Sequence, residues 1–139
     1  MKTVIKNVYY CDFCNKRGLS KPMMARHEHR CTRNPNRECF MCGDDHDLPS
    51  LIERFKKETE IKEIKDGNAD IGYWNTIEAV KWPKIGDIED AVECCPACTM
   101  AILKQAGLTH YYLKDKIPYN FQESKKEWWE HHNNYGSNY

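Results

Sequence analysis

Apolar residues recur at helical intervals in three parts of the chain and come close to alternating in one. In "LPSLIERFKK", Leu51, Ile52 and Phe55 follow a Pro-Ser start, which predicts a short helix. After Pro96, "ACTMAILKQAG" sets Met100, Ile102, Leu103 and Ala106 along one side and ends on Gly107, a helix with its own stop signal. A further helix is predicted to begin at Asp87. Ser20 can cap a helix whose first turn holds Pro22, with Met24 facing inward beside Tyr9 and Leu19. Between these, "TEIKEIKDGNADIGYWN" predicts a hairpin, with Ile61 in the first strand and the turn at Asp66-Gly67-Asn68. "THYYLKDKIPYNF" is expected to run extended across the core, and "QESKKEWWEHHNNYGSNY" to form a short helix fading into a disordered tail. The fold class expected is α+β, a small single domain.

Composition changes this picture by suggesting what holds so small a body together. With 139 residues, 40% of them hydrophobic, the chain can bury one modest core, and metals often reinforce cores of that size. Eight cysteines are present, while "MKTVIKNVYY" has too short an apolar run for a signal peptide and no stretch approaches a membrane span. A reducing cytoplasmic setting is therefore expected, in which cysteine pairs read as metal ligands before disulfides. Lys/Arg and Asp/Glu balance at 21 each, but unevenly. Residues 1–38 carry nine basic against three acidic side chains, residues 39–100 seven against fourteen, and residues 101–139 five against four.

Cys11, Cys14, His27 and Cys31 follow the spacing C-x2-C-x12-H-x3-C, which suits one tetrahedral zinc ion. A Cys-x-x-Cys turn presents two thiolates together, and ligands at i and i+4 of a helix leave the same face. His29 lies about 200° around the helix from His27 and is not chosen. Cys39-Phe-Met-Cys42 and Cys95-Pro-Ala-Cys98 are expected to form a second, four-cysteine zinc site. Gly43 would permit a left-handed turn after the first pair, and the second pair would open a helix whose free N–H groups favour thiolate charge. Cys94 is left over and is expected to be a small buried apolar residue; His46 remains an alternative ligand. Only seven residues join Cys31 to Cys39, so the two sites are expected to lie in one body. The organisation read from these features is a finger at 1–38, a four-cysteine body at 39–127 and a tail at 128–139.

Catalysis is not expected. Both sites are filled by protein ligands, whereas catalytic zinc keeps an open position, and no H-E-x-x-H, P-loop or nucleophile elbow occurs. "EHHNN" echoes an HNH nuclease without its ββα context. Trp128, Trp129, His131, His132 and Tyr135 are read as tryptophan packing beside an exposed polar tail. As a DNA reader, one finger would offer Ser20, Met23 and Arg26 to the bases, of which Arg26 alone suits guanine, so weak contact with nucleic acid is expected.

The segment from Tyr9 to Cys42 resembles the C2HC variant of the C2H2 zinc-finger family, and "HEHRCTRNPNREC" is similar to the small finger proteins of bacteriophages and prophages. The chain has Gly18-Leu19 near the point where that family carries an aromatic. The overall profile, small and metal-containing, is similar to anti-CRISPR inhibitors. That resemblance implies a protein of the host cytoplasm that binds a host protein, a Cas9-type nuclease, and blocks its loading of DNA. The finger helix or the acidic middle would face a positively charged recognition lobe. The alternative the family implies is a single-finger DNA-binding regulator.

Overall fold

The computed structural model describes residues 1–43 and 46–136, with side chains placed through His131. It is an α+β chain of five helices and two small antiparallel sheets among these residues. At the N-terminal end, β1 (Tyr9–Tyr10) pairs with β2 (Arg17–Gly18), and α1 (Lys21–Arg30) follows. The turn between the two strands carries Cys11 and Cys14. It is closed by the Cys11 N–H donating to the Lys16 carbonyl at 2.9 Å and the Asn15 N–H to the Cys11 carbonyl at 3.0 Å, with Asn15 in the left-handed region at φ 61°.

Met24 is buried beneath α1 with Tyr9 against it, as expected, but Leu19 is exposed. Gly18 explains part of this arrangement, since a Cβ there would stand 3.2 Å from the Met24 methyl. The methionine fills the space that a larger residue on β2 would take. α1 starts at Ser20, which has extended backbone but makes no side-chain capping bond.

The body is built on α4 (Pro96–Gln105), seven of whose residues are buried. α2 (Leu48–Lys57), α3 (Ile85–Ala91) and α5 (Phe121–Gly136) surround it. Phe55 from α2, Ile88 from α3 and Ile102 from α4 meet in one core with Val92, Leu108 and Leu113. α2 covers the predicted stretch, and its cap is Asp47, whose carboxylate accepts from the Ser50 N–H. α3 begins two residues before the predicted Asp87.

Three expectations need correction. The segment after α4 is a series of turns rather than an extended strand. Its Leu113, Lys116 and Ile117 N–H groups bond to carbonyls three or four residues back, which turns Leu108, Leu113 and Ile117 all inward. The C-terminal helix is not short: α5 runs sixteen residues, across the position where the tail was placed, and residues 137–139 of that tail lie outside the described residues. The hairpin forms from β3 (Glu60–Asn68) and β4 (Gly72–Lys81), but its turn comes later than Asp66-Gly67-Asn68. Asn68 sets the turn, because its side-chain oxygen accepts from the Asp70 and Ile71 N–H groups at 2.9 and 3.0 Å. Gly67 is drawn into the ladder at φ 108°, where a Cβ would meet the Gly72 carbonyl oxygen at 2.2 Å, so no other residue fits.

Burial of Phe55 is complete, and truncating it removes a large side chain from the centre of the core. Phe55→Ala is expected to lower unfolding free energy by about 3–5 kcal/mol in urea titration, while metal content stays unchanged.

Candidate metal centres

The structure gathers the eight predicted ligands into two clusters, Cys11, Cys14, His27 and Cys31 in one and Cys39, Cys42, Cys95 and Cys98 in the other. Within each, every donor atom lies within 4.8 Å of the others. Cys14 Sγ and His27 Nε2 are 3.2 Å apart, Cys39 and Cys95 Sγ 3.6 Å, and Cys42 and Cys98 Sγ 3.4 Å. Zinc–sulfur bonds of about 2.3 Å put two sulfurs of a tetrahedron about 3.8 Å apart. An expansion of a few tenths of an ångström therefore admits the ion, and the soft thiolate and imidazole donors are those zinc takes. The two clusters, one of three cysteines and a histidine and one of four cysteines, are suited to two zinc ions.

Local structure explains how each ligand is aimed. Cys11 and Cys14 come from the turn between β1 and β2, and His27 from the last turn of α1. α1 ends at Arg30, so Cys31 is the residue closing the helix rather than part of it, at φ -59° and ψ 130° with its N–H on the Glu28 carbonyl. The i, i+4 spacing still brings it beside His27. His29 points elsewhere and pairs with the Glu38 carboxylate.

In the second cluster the Met41 and Cys42 N–H groups both donate to Cys39 Sγ at 3.4 Å, and Gly43 completes the knuckle at φ 79°. Cys95 is the N-cap of α4, and Cys98 lies in its first turn. Two consecutive left-handed residues, Glu93 at φ 52° and Cys94 at φ 62°, turn the chain from α3 into α4. That turn carries the Cys94 side chain outward, so Cys94 is exposed, against the expectation of burial. His46 belongs to neither cluster.

Between the clusters, the linker is fastened to the far end of α4. Gln105 donates to the Thr32 and Asn34 carbonyls at 2.9 and 3.1 Å, and the Lys104 ammonium to the Thr32 hydroxyl at 3.0 Å. The finger and the body thus share one helix as support.

Without metal, each cluster crowds several thiols around few protons. Burial works against ionising Cys14, yet hydrogen bonds from His27 and the Lys16 backbone outweigh it and bring the thiol down to about 7. Burial pushes Cys31 up to about 11. Hydrogen bonds from Cys95 and Cys98 favour the thiolate of Cys39, while donation to Cys39 pushes Cys95 up to about 12 and Cys98 upward as well. One thiolate held by protonated neighbours is a natural precursor to four thiolates held by a dication. Trp128 rests partly buried on the core, whereas Trp129 and His131 are exposed; the side chains of His132 and Tyr135 lie outside the described residues.

Metal analysis of Cys39→Ser and Cys95→Ser should each show one ion lost and the finger's ion kept, with Cys94→Ser retaining both. Zinc must displace the protons that Cys31, Cys95 and Cys98 hold at neutral pH, so affinity is expected to rise with pH. Below about pH 7 Cys14 also takes up a proton. Zinc competition between pH 8 and 6 should therefore weaken the finger site by at least roughly tenfold per unit. No protein-family model matches this chain, and no curated protein or solved structure matches it either.

Proposed function

We propose that the chain is a non-catalytic, phage-type binding protein whose zinc centres stiffen a scaffold and whose β3–β4 hairpin docks on a host protein machine and inhibits it. The observation that carries this reading is the exposure of the hairpin. Of the nineteen positions in its two strands only Ala79 is buried, and Ile61, Tyr73, Trp74, Ile77 and Val80 are all exposed. A two-stranded hairpin is marginally stable alone in water, and apolar side chains left exposed along its length favour burial against a partner.

Charge argues for protein over nucleic acid at this surface. The two strands carry Lys62, Lys65 and Lys81 against Glu60, Glu63, Asp66 and Glu78, so the ribbon has no net positive charge to favour phosphate. Each strand also keeps one edge unpaired in a two-stranded sheet, open to a partner's strand. The acidic residues of the middle segment suit a positively charged channel such as the one in which a Cas9-type nuclease holds its heteroduplex. Four protein donors at each metal centre fill a tetrahedral shell and leave no position for substrate, which supports binding rather than catalysis.

A second reading, a finger that contacts DNA, draws on a different surface. Arg26, Arg30 and Lys104 border an open cleft of about 430 Å³ beside the finger, together with Met23 and Phe40. None of the three cations forms an ion pair among the described residues.

Target-DNA loading by a guide-bound Cas9-type nuclease, measured with the zinc-loaded protein added, tests the first reading. The native chain is expected to reduce loading, and Trp74→Ser/Ile77→Ser to need at least about tenfold more protein for the same effect. Loading unaffected by the native chain, with sequence-selective duplex binding at physiological salt that Arg26→Ala abolishes, would replace it with the second.

A further inference from the structure

Arg37 is the one charged side chain among the described residues that is fully withdrawn from water, at 5% exposure, and it sits between the two metal centres. Its backbone N–H donates to the Asn34 carbonyl at 3.2 Å, and Nε points to the Arg30 carbonyl at 3.4 Å, one residue before the ligand Cys31. Nη1 faces Cys98 Sγ at 4.0 Å, the outer reach of a sulfur hydrogen bond. Among the described residues Nη2 is buried with no acceptor, and no carboxylate of theirs pairs with the guanidinium.

A guanidinium stays charged in any protein interior, and burying one without a counter-charge is strongly unfavourable. A neutral thiol at Cys98, the sulfur that Nη1 faces, would give this cation almost nothing. Four thiolates around a divalent zinc carry a net charge of about -2, which is the anion that the position lacks.

We infer that Arg37 is the counter-charge of the four-cysteine centre, holding its thiolates through N–H to sulfur bonds and fixing the finger to it through the Arg30 carbonyl. Arg37 is thus a positioning residue for the metal ligands, not a ligand. The backbone donors that reach Cys39 Sγ serve one side of the centre, and Arg37 serves Cys98 on the other. The role depends on metal at the four-cysteine site and is independent of any docking by the hairpin.

Outer partners of metal ligands commonly set affinity by about 10–100-fold. Arg37→Met should release the zinc of the four-cysteine site to a chromophoric chelator at least about tenfold more readily, while the finger's zinc is retained as in the native chain. Arg37→Lys, which keeps the charge, should recover most of the loss. With cobalt in place of zinc, loss of a donor to sulfur should move the sulfur-to-metal charge-transfer band of Arg37→Met to lower energy. A packing role would leave that band in place and would treat lysine and methionine alike.

The native protein offers a reading that requires no folded variant. Loaded with cadmium-113, it should show guanidinium protons of Arg37 in slow exchange and coupled through sulfur to one metal only. Fast-exchanging, uncoupled guanidinium protons would overturn the inference, as would equal zinc release from Arg37→Met and the native chain.

Discussion

Four sulfurs drawn from two parts of the chain 56 residues apart form the constraint on which the body depends. An ion with four short bonds and tetrahedral preference accepts one relative placement of Cys39-Cys42 and Cys95-Cys98, to within a few tenths of an ångström. A covalent cross-link closing a loop of that length removes roughly 4 kcal/mol of chain entropy from the unfolded state. Small domains retain about 5–15 kcal/mol of net stability in total, so one such closure is comparable to everything that is left over. The segment it encloses includes α2, the hairpin and α3, and only α2 and α3 contribute large side chains to the core. Metal held there would do for this chain what a larger apolar interior does elsewhere.

α4 converts that local constraint into overall arrangement. Its N-cap and first turn each carry one sulfur of the four-cysteine cluster, its buried side meets the other helices, and its last turn holds the linker to the finger through Lys104 and Gln105. A displacement of its start would misplace sulfur, and a displacement of its end would release the finger. The left-handed pair Glu93 and Cys94 is the conformational cost of turning α3 into this helix within four residues.

Both metal sites could be read from the sequence because coordination imposes spacing directly: two residues between thiolates on a turn, three between ligands across a helix end. α2, α4 and the existence of the hairpin were equally legible, from apolar spacing and from caps and stops beside it. Other features were hidden for identifiable reasons. The hairpin turn was placed early because Asp-Gly is a common turn signal, whereas the Asn68 side chain closes a later turn and leaves Gly67 inside the ladder. Cys94 was assigned to the interior on the average behaviour of free cysteines, but backbone direction decides where its side chain goes. Leu108, Leu113 and Ile117 sit at intervals of five and four, a pattern that turns satisfy and a strand would not. Arg37 was hidden most deeply: counting it in the charge of residues 1–38 treats a buried cation as surface, and only the fold reveals that it is withdrawn toward sulfur.

The separation between what holds the fold and what is left exposed follows from the same physics. In a chain without metal, a hairpin with tryptophan, tyrosine and isoleucine in solvent would be drawn into the interior or would favour association of unfolded chains. Here its roots at Thr59 and Lys81 emerge from a loop whose ends are already tied at sulfur, so the ribbon adds little to the core and is not needed to complete it. Coordination at the four sulfurs would let the body be stable with this apolar surface unburied. The finger is supported in the same way, with Met24 and three sulfurs forming nearly all of its interior. A chain whose rigidity comes from coordination can thus leave large side chains outside its own core.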